Sequence, residues 1–295
     1  MPLALIPRHR ARSIPFPLYS SNDSTLGWLN YLHVTSSRPV IYAHAPAPGV
    51  PWENSTYDAH AVRIEDIRGR ATPPHIDREG FELWHAPSST RDFLDDEEIR
   101  ARYYREVAEL ALAATGASRA HVFDHLVRRR EPNRPELGFG RRIRDGPVAA
   151  NGRIHNDYTD DSGQRRLALV ITDPQELLAV RRHAIVNIWR PTRHPILDTP
   201  LALCDAGSVD AAELVAGDVR YANRSGEIYL LRHSPRHRWS FASGLAPYEA
   251  LVFKQYDSRT DGVARFTPHA AFDQPVPPTT PLRESIEARV LVVYE

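Results

Sequence analysis

The chain predicts a mainly β protein, a closed barrel or sandwich, on three observations. From Ile185 onward, short runs rich in β-branched and aromatic residues recur between turns of Pro, Gly, Asp and Ser, the pattern of strands that close on themselves. Helical periodicity is confined to two segments, Asp95 to Ala114 and Asp173 to Arg182. At 295 residues the chain is long enough to bury a sizeable core as one large domain.

Residues 1–90 are rich in Pro, and extended pieces such as Pro39 to Ala43 alternate with turn clusters such as Ala45 to Gly49. They predict an irregular β-containing N-terminal arm packed on a core over 91–295, one domain overall. The first helix, Asp95 to Ala114, opens on four consecutive acids that suit a helix N-terminus and closes at Gly116. A strand over Ala120 to Val127 follows, then an Arg-rich loop, then a strand carrying His155. Asp173 caps a second helix with Pro174 in its first turn. The remaining strands are expected at Ala184 to Arg190, Leu201 to Cys204, Glu227 to Leu231, His237 to Ala242, Glu249 to Lys254 and Glu287 to Tyr294.

A formal charge of +0, with no basic cluster interleaved with aromatic residues, argues against a nucleic-acid partner. The runs Arg128-Arg129-Arg130 and Arg141-Arg142-Ile143-Arg144 read as solvated turns or anion contacts. Met1 to Ser20 contains no apolar run of signal-peptide length and no later segment is apolar enough to span a membrane, so a cytoplasmic protein acting on a free small molecule is expected. The single cysteine, Cys204, excludes an internal disulfide and a thiolate-rich metal site and reads as a buried, inert thiol. The single lysine, Lys254, lies in an apolar strand of an Arg-rich chain; it is either a chance survivor or a group doing what Arg cannot.

The chemistry centres on His155-Asn156-Asp157-Tyr158-Thr159. On a strand, residues two apart point to one face, so His155 and Asp157 offer two of the three donors of a 2-His-1-carboxylate iron site. With fourteen His in the chain, a His-x-Asp arises by chance, and a second one, His75-Ile76-Asp77, reads as a turn before a strand. A metal site needs a further His, for which His237 and His269 both stand available. After His269 come Arg283 and Ser285, alternating onto one strand face, where a guanidinium forks onto a carboxylate and a hydroxyl adds a hydrogen bond. Arg289 shares that parity.

These residues resemble the Fe(II)/2-oxoglutarate-dependent dioxygenases, which carry His-x-Asp early, a distal His late, and then Arg-x-Ser. More narrowly, the chain is similar to the natural-product hydroxylase/desaturase branch, with gibberellin-desaturase-like, aspergillic-acid hydroxylase-like, cephamycin-pathway and aziridine-forming members. The matching words include Gly80-Phe81-Glu82-Leu83, Tyr103-Tyr104-Arg105-Glu106-Val107, Val122-Phe123-Asp124-His125, Asn187-Ile188-Trp189-Arg190-Pro191, His237-Arg238-Trp239, Phe253-Lys254-Gln255-Tyr256-Asp257-Ser258 and Arg283-Glu284-Ser285-Ile286-Glu287. The resemblance implies a double-stranded β-helix, a jelly-roll or cupin-like barrel with flanking helices. It implies iron on His155, Asp157 and His269, with 2-oxoglutarate held by Arg283 and Ser285 and O2 as the second cosubstrate. His269 is preferred to His237 because the family's distal ligand follows the strand that Ala250 to Lys254 resembles. The implied reaction in secondary-metabolite biosynthesis is hydroxylation, desaturation or oxidative cyclisation such as aziridine formation, with release of succinate and CO2. Tyr158, Asn187, Trp189, Tyr229, His237, Trp239, Lys254 and Arg289 are the candidate substrate contacts. The competing reading is a non-catalytic or non-oxidative cupin-type barrel that binds a small acid through Arg283.

Overall fold

The computed structural model describes residues 6–7, 24–140 and 147–295; the Arg141 to Arg144 run and nearly all of Met1 to Ser20 lie outside the described residues. In chain order the strands are β1 (Ile6–Pro7), β2 (Ser24–Leu32), β3 (Val40–Tyr42), β4 (Tyr57–Asp66), β5 (Phe81–His85), β6 (Arg119–Arg129), β7 (Val148–Ala149), β8 (His155–Asn156), β9 (Arg182–Pro191), β10 (Leu201–Cys204), β11 (Leu214–Arg220), β12 (Ser225–Leu231), β13 (Trp239–Phe241), β14 (Glu249–Asp257), β15 (His269–Ala271) and β16 (Glu284–Tyr294). They form a seven-stranded sheet, β1-β5-β14-β9-β16-β6-β7, and a nine-stranded sheet, β2-β4-β13-β10-β15-β8-β12-β11-β3. Strands from residues 24–85 enter both sheets: β5 pairs with β14, β4 with β13 and β3 with β11.

Alternation along the central strands separates two cores. Ile286, Ala288, Val290 and Val292 of β16, with Val186 and Ile188 of β9 and Ala250 and Val252 of β14, point outward onto Val107, Leu110 and Ala111. Those three belong to helix α2 (Tyr104–Thr115). Trp189, Leu251 and Phe253 point inward and meet Leu201 and Leu203 of the facing sheet. Each such aliphatic or aromatic side chain contributes about 1.5–3 kcal/mol by leaving water. The inner face of β16 is different: its positions are Ser285, Glu287 and Arg289, all buried or nearly so. Polar groups on the inner face of a central strand cost stability unless they are paired, which marks the place where function sits.

The predicted first helix is present as a continuous helical run: α1 (Asp96–Glu98), a π-helical turn (Ile99–Tyr103) and α2. The Asp95 carboxylate accepts from the N–H groups of Glu97 and Glu98, and Gly116 closes it at φ 66°, a left-handed cap that glycine adopts without strain. A helix the sequence reading passed over, α3 (Asp160–Val170), starts immediately after the His-x-Asp segment, with a capping box between Thr159 and Ser162. The second expected helix is shorter than predicted, α4 (Pro174–Ala179), because Val180 is already extended and Arg182 enters β9.

Candidate metal centre

Strand register brings the two imidazoles together. His269 of β15 pairs directly with His155 of β8, and on its other side with Leu203 of β10. Residues opposite each other on adjacent strands share a face, and the ring centroids of His155 and His269 lie 4.4 Å apart. Strand β8 ends at Asn156, so Asp157 occupies the bend that follows rather than a third strand position. Its backbone N–H donates to Gln255 Oε1 at 2.7 Å. The Asn156 side chain fixes the segment from behind: Nδ2 donates to the carbonyls of Tyr158 and Gln255, and Oδ1 accepts from the N–H of Thr267 at 3.0 Å. One amide thus ties the early ligand segment to the chain just before His269.

Each candidate ligand has its other polar atom engaged. His155 Nδ1 lies 2.8 Å from the carbonyl of Arg153, and His269 Nδ1 lies 3.2 Å from that of Thr267, so a Nδ1–H tautomer leaves both Nε2 atoms as acceptors, with the Asn151 amide Nδ2 3.4 Å from that of His155. Asp157 Oδ2 accepts from Asn187 Nδ2 at 2.8 Å and from Arg289 Nε at 2.9 Å, leaving Oδ1, which is 3.5 Å from His155 Nε2. The ligand atoms of His155, Asp157 and His269 lie within 4.8 Å of one another, the single such grouping among the described residues. Two imidazole nitrogens and one carboxylate oxygen fit the donor set of a non-haem Fe(II) site with open positions.

The electrostatics agree with ligands rather than with a buried ion pair. Burial, with the charge of the neighbouring His269, pushes His155 down to about 4, and burial pushes His269 to about 4. Both rings are therefore neutral and able to bind a cation at physiological pH. Burial alone raises the Asp157 carboxyl, but the Arg289 guanidinium, the two imidazoles and the Asn187 amide hold it well below the carboxylate range.

The two arginines of β16 and its approach differ in how they are neutralised. Arg283 is 3% exposed; its Nε donates to Ser285 Oγ at 3.2 Å and its Nη1 to the carbonyl of Thr199 at 3.2 Å. Its guanidinium lies over the Trp189 ring, 4.9 Å from the centroid. Among the described residues no carboxylate ion-pairs with it, and burial with the nearby Arg128 charge pushes it down to about 9. Arg289, by contrast, reaches Asp157, Asp124 and Glu287 at 2.7–2.9 Å, and those carboxylates, outweighing burial, raise it well above its ordinary value. Two further polar atoms on the inner face of β9, Asn187 Oδ1 and Trp189 Nε1, are buried without a hydrogen-bond partner.

The remaining expected substrate contacts divide sharply. Asn187 and Arg289 hold Asp157, Trp189 underlies Arg283, and Tyr158 packs against Phe123. Lys254 does not reach the site: it sits on the outer parity of β14, opposite Val186, is 0% exposed, and donates to Asp77 at 2.5 Å and Asp257 at 2.9 Å. That also accounts for the second His-x-Asp, since Asp77 lies in a turn and is tied to Lys254. Tyr229 pairs with Asn156 rather than His155 and turns its ring to Phe266. Trp239 pairs with Cys204, the position of opposite parity to Leu203, and donates to Tyr31 Oη. His237 is engaged by Tyr31 and Glu213. These four lie away from the triad, each because of strand parity or a partner far away in the chain. Not singled out individually from the sequence were Gln255, Phe253, whose ring meets His269 edge-on at 4.9 Å, and Glu287. All three lie within words of the family resemblance, which was the one available signal.

Comparison with known proteins adds three findings. A family model described as the Oxidoreductase/YMDC permease-like domain matches residues 29–293. The hydroxylase/desaturase efuI of Hormonema carpetanum is 32% identical over 81% of this chain and 85% of its own length; the hydroxylase/desaturase CTB9 of Cercospora beticola is 33% identical over 81% and 78%. The Fe(II)/2-oxoglutarate-dependent dioxygenase nvfI of Aspergillus novofumigatus is 28% identical over 86% and 90%. A solved structure of the iron and alpha-ketoglutarate-dependent endoperoxidase NvfI superimposes with a TM-score of 0.80 at 24% identity, covering 93% of this chain and 99% of that one, which establishes the jelly-roll, double-stranded β-helix fold.

Proposed function

The chain belongs to the natural-product Fe(II)/2-oxoglutarate-dependent oxygenases, and we propose that His155, Asp157 and His269 hold its iron while Arg283 and Ser285 hold the far carboxylate of 2-oxoglutarate. It is a non-haem iron oxidoreductase of small molecules whose cosubstrates are 2-oxoglutarate and O2. The observation that carries the ligand assignment is the convergence of two imidazole Nε2 atoms on one carboxylate oxygen.

When bound, iron with 2-oxoglutarate and O2 supplies the oxidising power that removes hydrogen from an unactivated C–H, with release of succinate and CO2. The protein's part is positional. Arg153 and Thr267 carbonyls fix the imidazole tautomers, and Asn187 and Arg289 direct one oxygen of Asp157 away so that the other faces the ligand space. Arg283 is a buried cation with no carboxylate of its own among the described residues; such a group is costly to bury, and an organic acid seated on it and on the Ser285 hydroxyl offsets that cost. Arg289 is the poorer clamp because its N–H groups already hold three carboxylates. Whether hydrogen removal ends in a hydroxyl, a double bond or a ring is set by where the substrate carbon rests, and the unpartnered Asn187 Oδ1 and Trp189 Nε1 offer an acceptor and a donor to polar groups of a bound molecule.

A small-acid-binding barrel without oxidative chemistry has a use for Arg283 but none for the bare triad, and the relatives are named as oxygenases. The deciding experiment measures succinate release from 2-oxoglutarate with and without Fe(II). Iron-dependent release that rises with an organic substrate is expected. Arg283→Ala should raise the 2-oxoglutarate concentration for half-maximal release by about ten- to a hundredfold, as loss of a charged hydrogen-bonded contact does; release independent of iron, or an unshifted requirement in Arg283→Ala, contradicts the assignment.

A further inference from the structure

Arg128 was expected at a solvated turn or an anion contact, and β6 runs through it to Arg129, which removes the turn. It pairs with Ser285 across the β6–β16 ladder, so its side chain lies on the inner face with Ser285, while Arg283 stands at the diagonal position, with the Arg130 N–H donating to the Arg283 carbonyl. Diagonal neighbours on one face are about 7–8 Å apart. The Arg128 charge lowers Arg283, and two guanidiniums that are half-buried or deeper repel unless anions separate them.

The charges of Glu287 and Asp157 favour the Arg128 cation, but neither carboxylate forms an ion pair with it. Glu287 and Asp157 both give an oxygen to Arg289, and among the described residues no ion pair reaches Arg128. Its one hydrogen bond there is from Nη1 to the carbonyl of Ala149, 2.8 Å. A guanidinium has five N–H groups, and none of those left on Arg128 is a sealed orphan, so they face accessible space. The group is also held in place. A Cβ at Gly140, where φ is +77°, would lie 2.8 Å from Nη1 and 2.7 Å from the Ala149 carbonyl, so a glycine lets the loop close over the guanidinium. Burial pushes Arg128 down from its ordinary value, and its charge is felt by Arg283, His155 and His269, which places it at the same site.

Resting on the oxygenase assignment above, we infer that Arg128 binds a carboxylate of the organic substrate, making this an oxygenase of small organic acids. 2-Oxoglutarate brings two carboxylates, one for the metal and one for Arg283 and Ser285. Arg128 is the cation left over, fixed at one nitrogen and open at the others, so the third carboxylate comes from the substrate.

The test uses the full chain with Zn(II) and 2-oxoglutarate, so that binding is read without turnover. Octanoate, phenylacetate and N-acetyl-L-leucine, each beside its methyl ester, are titrated by saturation-transfer NMR. Wild type is expected to bind at least one acid about ten- to a hundredfold more tightly than its ester. Arg128→Gln should bring that ratio near one, and Arg128→Lys, which keeps the charge, should recover part of it; thermal melts confirm that both variants fold. The inference is overturned if no acid is preferred over its ester, or if the ratio survives Arg128→Gln. It is equally overturned if Arg128→Gln instead weakens 2-oxoglutarate as Arg283→Gln does, since Arg128 would then belong to the cosubstrate. Failure of wild type to bind 2-oxoglutarate before any acid is added would defeat the oxygenase assignment itself, and is read separately.

Discussion

Two clusters of histidines lie in this barrel, and they are chemically unlike. In one, His155 and His269 each have Nδ1 on a backbone carbonyl and Nε2 turned to the free oxygen of Asp157, with only the Asn151 amide near His155 Nε2, at 3.4 Å. In the other, around Tyr31, His60 and His233 stack ring on ring at 3.8 Å, while His237 has Nε2 at 2.9 Å from Glu213 and Nδ1 at 3.2 Å from the Tyr31 hydroxyl, itself accepting from Trp239. The second cluster holds more imidazoles, yet every hydrogen-bonding position of His237 is taken by protein. What distinguishes the ligand set is therefore the carboxylate: Asp157 is turned to leave one oxygen over beside two imidazole Nε2 atoms, whereas Glu213 is spent on His237 and Arg236.

The largest effect that follows is on metal. His155→Ala, Asp157→Ala and His269→Ala should each abolish stoichiometric Fe(II) binding and iron-dependent succinate release, while His237→Ala should still take up one iron per chain in an anaerobic titration. An active His269→Ala protein beside a metal-free His237→Ala one would reverse the comparison and move the distal ligand to the Tyr31 cluster. A smaller effect sharpens it. If Asp157 is a ligand because Arg289 and Asn187 turn it, Arg289→Gln should weaken Fe(II) by about ten- to a hundredfold, with Arg289→Lys intermediate. The loss should appear as a raised iron requirement rather than a raised 2-oxoglutarate requirement. Equal sensitivity to both would make Arg289 part of the cosubstrate clamp.

Sequence reasoning carried some of these distinctions and not others, for definable reasons. His155, His269, Arg283 and Ser285 were readable because period-two alternation and the order of the motif survive in one dimension. Arg283 and Arg289 have the same parity, and their different fates depend on Asp124, Glu287 and Asp157, partners that spacing along β16 does not reveal. Lys254 was placed among substrate contacts because it is the single lysine. Its inward or outward sense depends on the pairing of β14 with β9, and its partner Asp77 lies on a turn far up the chain. Arg128 was left between a solvated turn and an anion contact because a run of three arginines suits either, and only the pairing of β6 with both β16 and β7 removes the turn. Helix α3 had a signal in Thr159 and Ser162, but it adjoins the His-x-Asp word and was given no assignment of its own.

The smallest effect separates the clusters by acid rather than by metal. Burial pushes the Glu213 carboxyl up, but the Asp210 N–H, His237 and Arg236 pull it down to about 2 from the usual 4.5. Burial also lowers His237 below its usual 6.5 despite Glu213. A group whose pKa is lower folded than unfolded stabilises the fold above its unfolded value and loses that contribution as pH falls through the folded one. His237 therefore begins to lose its share below about pH 6.5 and Glu213 below about pH 4.5, both in the same direction. Glu213→Gln removes the carboxylate without changing shape. Its cost, about 1–2 kcal/mol at neutral pH, should shrink as pH falls from 4.5 toward 2, where the wild-type carboxyl also becomes neutral. Urea midpoints of the two proteins from pH 7 to 3 measure this, and taking the difference cancels the titration of groups outside the cluster. A gap that stays constant with pH would mean that Glu213 holds His237 by shape alone. Iron uptake in Glu213→Gln should match the wild type throughout, because the Tyr31 cluster contributes no residue to the grouping of His155, Asp157 and His269.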